Sequence, residues 1–168
     1  MNSNTSSNSK ISIRNAHKDD LQEMLILFQN TISCICKRDY TNDQLEAWKS
    51  GAENKERWEN VIYDQFILVA IYKDQIVGFC SLNKGSYLDL LFVHQDYQHQ
   101  GIASQLYHQI EKEAVRQNKK YLTADVSITA KSFFERAGFE IIKEQTVNVK
   151  GIDLINYKME KKLTSSAE

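Results

Sequence analysis

The chain has 168 residues, 42% hydrophobic and 26% charged, with a formal net charge of −1. That size and balance suit one soluble domain with a core of ordinary size, and the near-neutral charge argues against nucleic acid as a partner. No apolar run approaches the roughly 20 residues that span a bilayer and no signal-peptide pattern opens the chain; the three cysteines, an odd set, suit reduced thiols in the cytoplasm.

Residues 1–10 are rich in Asn and Ser and read as a disordered tail, 11–163 as the domain, and 164–168 as a short C-terminal tail. Ile11 to Asn15 alternates as a strand, and Asp19 or Asp20 can N-cap a helix carrying Leu21, Met24, Leu25, Leu27, Phe28 and Ile32. Cys34 and Cys36, two apart on that helix, fall on different faces and, with Cys80 in a strand, are expected to be buried or half-buried. Thr41 or Asn42 caps a helix with Leu45 and Trp48, and Asn54 to Tyr63 adds a helical turn or two. Phe66 to Tyr72 and Ile76 to Leu82 flank Lys73-Asp74-Gln75 as a hairpin. Leu88 to Val93 is a further strand, and Ile102, Leu106, Ile110, Ala114 and Val115 recur at helical spacing. Tyr121 to Val126 reads as a strand and Thr129 to Ala137 as a helix. Phe139 to Val147 and Ile152 to Met159 close the chain as strands joined through Gly151. The order is β-α-α-β-β-β-α-β-α-β-β. Hairpins dominate it, so the fold class is α/β with a mixed, α+β type of sheet rather than a doubly wound one.

The junction from Leu90 to Leu106 is the most informative: a hydrophobic strand enters a short polar loop that opens onto an amphipathic helix. The first helical turn has N–H groups without intrahelical partners, and the macrodipole adds roughly half a positive charge. A pyrophosphate can therefore be held there without lysine. Gln98, Gly101 and Ala103 fit the pattern Q/R-x-x-G-x-G/A, and the segment resembles the coenzyme A pyrophosphate motif of the GNAT superfamily of acyl-CoA-dependent N-acyltransferases. A second stretch, Leu122 to Phe139, is similar to that family's other signature: strand, Asn-like residue, Ala, aromatic pair and Gly-Phe. Ser127 stands where Asn is common, and Ala130, Phe134, Gly138 and Phe139 fall in register. Gly138 suits a helix C′ position, where φ is positive. The likeness covers roughly residues 11 to 160 and extends to the small, YafP-like bacterial members.

The resemblance implies a GNAT-like sheet in which the motif strand and the next parallel strand splay apart around the pantetheine arm. It implies acetyl transfer from acetyl-CoA, a cosubstrate, to an amine acceptor by direct attack in a ternary complex, with no metal. The coenzyme would meet the backbone of Leu91, Phe92 and Val93, the loop and helix start Gln98, His99, Gln100, Gly101, Ile102, Ala103 and Ser104, and then Ser127 and Phe134. An N–H near the end of the motif strand would face the oxyanion formed when an amine attacks the thioester. The attacking amine must be neutral. Asp89, the only acid within the motif strand, either serves as its base, directly or through water, or projects from the solvent side.

Where many members carry a tyrosine that protonates the departing thiolate, this chain has Phe134. Ser127, Tyr97, Thr129 or a water can substitute, or the thiolate leaves unassisted, because a thiol of pKa near ~8.5 is a tolerable leaving group. Ser127 also reads as a hydrogen-bonding partner of the pantetheine, and Tyr97 as a loop residue packing on the coenzyme or helix. The missing tyrosine admits a different class of function, a coenzyme-binding module without catalysis. His94 and His99 lack a third ligand at metal spacing and are expected to be solvent-exposed. Asp39, Asp43 and Glu46 are interleaved with Lys37, Arg38 and Lys49, a mixed-charge surface. The acceptor is expected to be a small molecule more readily than a protein; neither nucleic acid nor membrane is expected as a partner, and a homodimer is allowed.

Overall fold

A computed structural model describes residues 10–165; the tail expected over 1–10 lies outside the described residues except for Lys10, as does 166–168 of the C-terminal one. Strands β1 (Ser12–Asn15), β2 (Phe66–Tyr72), β3 (Gln75–Asn83), β4 (Tyr87–Val93), β5 (Tyr121–Ser127), β6 (Glu140–Val149) and β7 (Ile152–Lys162) form a seven-stranded sheet in the order β1-β2-β3-β4-β5-β7-β6. Helices α1 (Leu21–Ile35), α2 (Asn42–Lys49) and α3 (Lys55–Asp64) cover one face, and α4 (Ile102–Arg116) and α5 (Lys131–Arg136) the other. The two apolar layers divide β3: Val77, Cys80 and Leu82 join the α4–α5 core, while Ile76 and Phe79 join the α1–α3 core.

Local chemistry accounts for most boundaries. Thr41 closes a capping box with Gln44, its Oγ1 accepting from the Gln44 N–H at 3.3 Å while Gln44 Oε1 accepts from the Thr41 N–H at 2.9 Å. Asp20 does not cap α1 through its side chain. A 3-10 turn, Lys18–Asp20, precedes the helix, and the carboxylate is spent on Arg14 (2.8 Å) and the His17 N–H (2.6 Å). The Arg14 hydrogen bond, reinforced by His17, holds the Asp20 carboxyl below the usual carboxylate range. The segment read as a helical turn or two is the ten-residue α3, capped by Asn54, so the observed order gains a third helix before β2. The β2–β3 turn is two residues, Lys73 and Asp74, at φ 48° and 61°; Gln75 already pairs with Tyr72. β7 runs past Met159 to Lys162 because β5 pairs with it along its length, Tyr121 opposite Lys162.

β4 and β5 are parallel and registered at a single pair, Tyr87 with Thr123, tied by the Thr123 N–H to the Ser86 C=O at 2.9 Å. Beyond it the strands part. On its other edge β4 carries a bulge: Leu88 lies opposite Leu82 and Leu90 opposite Ser81, leaving Asp89 as the extra residue. Such an insertion bends a strand and raises its twist, and here it falls where β4 leaves β5.

Candidate active site

The splayed strands open a cavity of about 1100 Å³. Leu90 to Val93 of β4 form one wall and Ala124 to Ser127 of β5 the other; the start of α4 lies at one end and Leu154 to Asn156 of β7 at another. Backbone polar groups left between parting strands must find water or a ligand.

At the α4 end, Gly101 is the N-cap at φ 79°, a left-handed conformation natural to glycine, and no side chain caps the helix. The first backbone bond at this end is donated by Gln105 to the Gly101 C=O (3.0 Å), so the N–H groups of Ile102, Ala103 and Ser104 have no acceptor among the described residues. A Cβ placed on Gly101 would meet nothing within 4 Å. This is an open anion cradle. His99 also takes positive φ, 59°, turning the loop, and it is exposed like Gln100. The Gln98 side chain folds back on β4, donating to the Val93 C=O at 2.6 Å. His94, expected to be exposed, is half-buried, because its Nδ1 accepts from the Asp96 N–H at 3.0 Å and its ring meets Tyr97 at 5.3 Å.

The phase of the β3–β4 ladder sets what β4 offers to the gap. The His94 N–H donates to the Val77 C=O at 2.8 Å. In an antiparallel ladder alternate residues turn their polar groups outward, so with Val93 opposite Gly78 and Leu91 opposite Cys80, Leu91 and Val93 face away from β3. The Val93 C=O is taken by Gln98 and by Thr31 Oγ1 at 3.2 Å. The Leu91 N–H and C=O and the Val93 N–H remain to line the gap. Val93, Leu91 and Ile102 pack their side chains into the α4 core, while Phe92 turns to the opposite face against Phe28 at 5.0 Å.

Asp89 lies on the cleft and is not on the solvent side; its side chain is 8% exposed. Arg57 Nη2 donates to it at 3.1 Å and Gln65 Nε2 at 2.8 Å. Neither partner was legible in the sequence, since α3 meets β4 only through the fold. Ser127 Oγ accepts from the Ala130 N–H at 3.1 Å, which ends β5 and leaves its O–H free to donate. Tyr97 rests edge-on against Tyr72 at 5.5 Å, a packing role beside the α4 start. Phe134 is buried. Gly138, at φ 98°, and Phe139 close a Schellman motif, donating to the carbonyls of Glu135 and Phe134 at 3.0 Å each, and the Phe134 and Phe139 rings meet at 5.0 Å. The second sequence signature is thus a helix stop with its hydrophobic clasp.

One further lining group, Tyr40, escaped sequence reasoning. The Tyr40 hydroxyl donates to the Ile155 C=O at 2.7 Å and accepts from the Ile128 N–H at 3.0 Å, joining the α1–α2 turn to β7 and the β5–α5 loop. Burial pushes this hydroxyl up to about 12. Thr129 Oγ1 donates to Asp39 Oδ2 at 2.8 Å, and burial pushes the neighbouring Cys36 thiol up to about 11. Cys34, by contrast, is exposed. Among the described residues no three His, Cys, Asp or Glu side chains gather as a metal site would require, and no helix is long and apolar enough to cross a membrane.

A mixed sheet parted at its parallel pair, with an uncapped helix start at the gap, is a fold shared with solved N-acetyltransferases. The model of the acetyltransferase (GNAT) domain matches residues 36–161. The chain is 36% identical over 149 residues to YafP, an N-acetyltransferase of Escherichia coli K12, covering 89% of this chain and 94% of that one. A GCN5-related N-acetyltransferase from Rhodopseudomonas palustris superimposes with a TM-score of 0.88 at 30% identity, over 92% of this chain and 97% of the other. The PaiA N-acetyltransferase of Thermoplasma acidophilum, solved with coenzyme A, superimposes with a TM-score of 0.74 at 22% identity, over 92% and 99% of the two chains. The protein belongs to the GNAT acetyltransferase family.

Proposed function

We propose that the protein transfers an acetyl group from acetyl-CoA to the amine of a small acceptor, the two substrates meeting in one ternary complex. The observation that carries this reading is the run of unpaired donors at the start of α4, continuous with the open edge of β4 in one cavity. The coenzyme A bound by the PaiA relative supports it. Acetyl-CoA, when bound, supplies an activated thioester. The N–H groups of Ile102 to Ser104 hold its pyrophosphate, with Gly101 leaving the approach clear, and the Leu91 and Val93 backbone orients the arm in the gap. Asp89, held by Arg57 and Gln65, serves as the base toward the incoming amine through water. The free O–H of Ser127 points to a donor for the departing sulfur in place of the tyrosine absent at Phe134. A small acceptor suits the site because the β6–β7 hairpin lines one side of it, pinned by Tyr40 and by Gln44 Nε2 on the Asp153 C=O at 2.9 Å.

The phenylalanine at position 134 favours a second reading, a coenzyme-binding module without turnover. Calorimetry with acetyl-CoA and release of free thiol with a panel of primary amines separate the two. Binding with acceptor-dependent thiol release supports transfer; binding without it for any amine supports the module; no binding overturns both.

A further inference from the structure

Where β4 leaves β5, the cavity wall holds an ion pair whose two members are unequally satisfied. The Asp89 side chain is 8% exposed and accepts one hydrogen bond on each oxygen, from Arg57 Nη2 at 3.1 Å and from Gln65 Nε2 at 2.8 Å. A carboxylate so buried needs such partners. Arg57 is less committed. Its side chain is 46% exposed, lines the cavity and touches Asp89 through one nitrogen, and its remaining N–H donors meet no acceptor among the described residues. A guanidinium is a planar fork suited to a two-point grip on a carboxylate, and here most of the fork is open.

The neighbouring acids are engaged elsewhere. Glu53, four positions before Arg57, pairs with Lys150 at 3.7 Å. Asp125 lies opposite Lys158 in the β5–β7 register and accepts from the Tyr87 hydroxyl at 2.7 Å. Arg57 and Asp89 therefore present opposite charges side by side on the wall. In an α-amino acid a single carbon separates the ammonium from the carboxylate, so such a zwitterion lies across the pair with its charges reversed. Its carboxylate meets the open edge of Arg57 and its nitrogen comes to Asp89. A plain amine answers Asp89 alone, and a lysine within a protein carries its own carboxyl only as a peptide amide. A phosphate monoester sets two negative charges against Asp89.

On the transferase reading, we infer that Arg57 is a specificity residue for the acceptor and that the acceptor is a free α-amino acid, its carboxylate gripped by Arg57 and its amine delivered to Asp89. The amine nitrogen bonds to the acetyl carbon as the carbon–sulfur bond breaks. The nitrogen's proton passes through water to Asp89, and the sulfur departs with the bonding electrons, giving an N-acetyl amino acid and coenzyme A.

The test uses L-alanine, L-methionine and L-phenylalanine as acceptors, each beside its carboxamide and its decarboxylated amine, with saturating acetyl-CoA and thiol release as the readout. At least one amino acid should show a kcat/KM at least about tenfold above both of its counterparts, the worth of one charge-assisted hydrogen bond. Arg57→Gln should shrink that amino acid-to-carboxamide ratio at least about tenfold, and Arg57→Lys should keep part of it. The ratio matters because loss of a mere brace for Asp89 lowers both acceptors alike. Should Arg57→Gln fail to fold, the ratio in Arg57→Lys makes the same comparison. Calorimetry of each amino acid with the coenzyme A-loaded protein runs in parallel. Amino acid binding that Arg57→Gln weakens, without turnover of any acceptor, keeps the subsite and overturns the transferase reading. Turnover that favours the carboxamides or plain amines, or a ratio unmoved by Arg57→Gln, overturns the subsite and leaves the transferase standing. Neither binding nor turnover of any amino acid overturns the subsite.

Discussion

Gly101 offers a clean separation of fold from ligand binding, because its two properties can be perturbed independently. At φ 79° any other residue pays for a left-handed backbone, about 1–2 kcal/mol, yet a Cβ there meets nothing within 4 Å. Gly151, in the β6–β7 turn, has φ 83° and equally open surroundings, so it makes a matched control. For a domain of this size each kcal/mol lowers Tm by about 2–4 °C, so Gly101→Ala and Gly151→Ala should each lose about 2–8 °C and remain folded. Only Gly101→Ala should weaken coenzyme binding. Its methyl group would sit before the free N–H groups of α4, and displacing a phosphate oxygen from one charge-assisted bond costs about 1.5–3 kcal/mol, roughly 10- to 100-fold in affinity. Gly101→Glu adds a negative charge and should exceed about 100-fold. Differential scanning fluorimetry gives the first quantity and calorimetry with acetyl-CoA the second. A folded Gly101→Glu protein that binds acetyl-CoA as the parent does would refute the cradle, as would equal affinity losses in the Gly101 and Gly151 variants.

Asp89→Asn should lower kcat about 10²–10⁴-fold with the acetyl-CoA dissociation constant little changed; an unchanged kcat with a confirmed acceptor would reduce the residue to a brace for Arg57. Tyr40→Phe leaves the Ile128 N–H and Ile155 C=O without their hydroxyl, and should cost about 1–3 kcal/mol in urea denaturation; a loss below about 0.5 would mean water replaces it. Phe134→Tyr should leave turnover unchanged or raise it, whereas Ser127→Ala should cost about 10²–10⁴ if Ser127 donates to the sulfur; full turnover in Ser127→Ala removes it from that role. The Cys36 thiol keeps its proton to about 11 against an ordinary 9.0, so between those values the unfolded chain binds fewer protons and stability falls as pH rises. At pH 8 iodoacetamide should label the exposed Cys34 alone; mass spectrometric labelling of Cys36 at a comparable rate would contradict this.

The sequence by itself determined the pieces whose causes are local. Helical spacing placed α4, a cap at Thr41 or Asn42 marked the start of α2, and Gly138 marked a helix end where the backbone turns left-handed. The uncapped start of α4 was legible for the same reason, since a helix start after a strand is a property of consecutive residues. What only the tertiary structure decided are the partners brought from afar. The neutralisation of Asp89 needs α3, whose Arg57 is 32 positions away, and the pinning of β7 needs Tyr40, 115 positions from Ile155. The aromatic cluster of the cleft needs Trp48 and Phe92 to meet across the helix–sheet boundary. Such contacts follow from the bulge at Asp89 and the single-pair register of β4 with β5. Strand register is set by the packing of whole layers, because a slip of one residue turns every side chain to the other face.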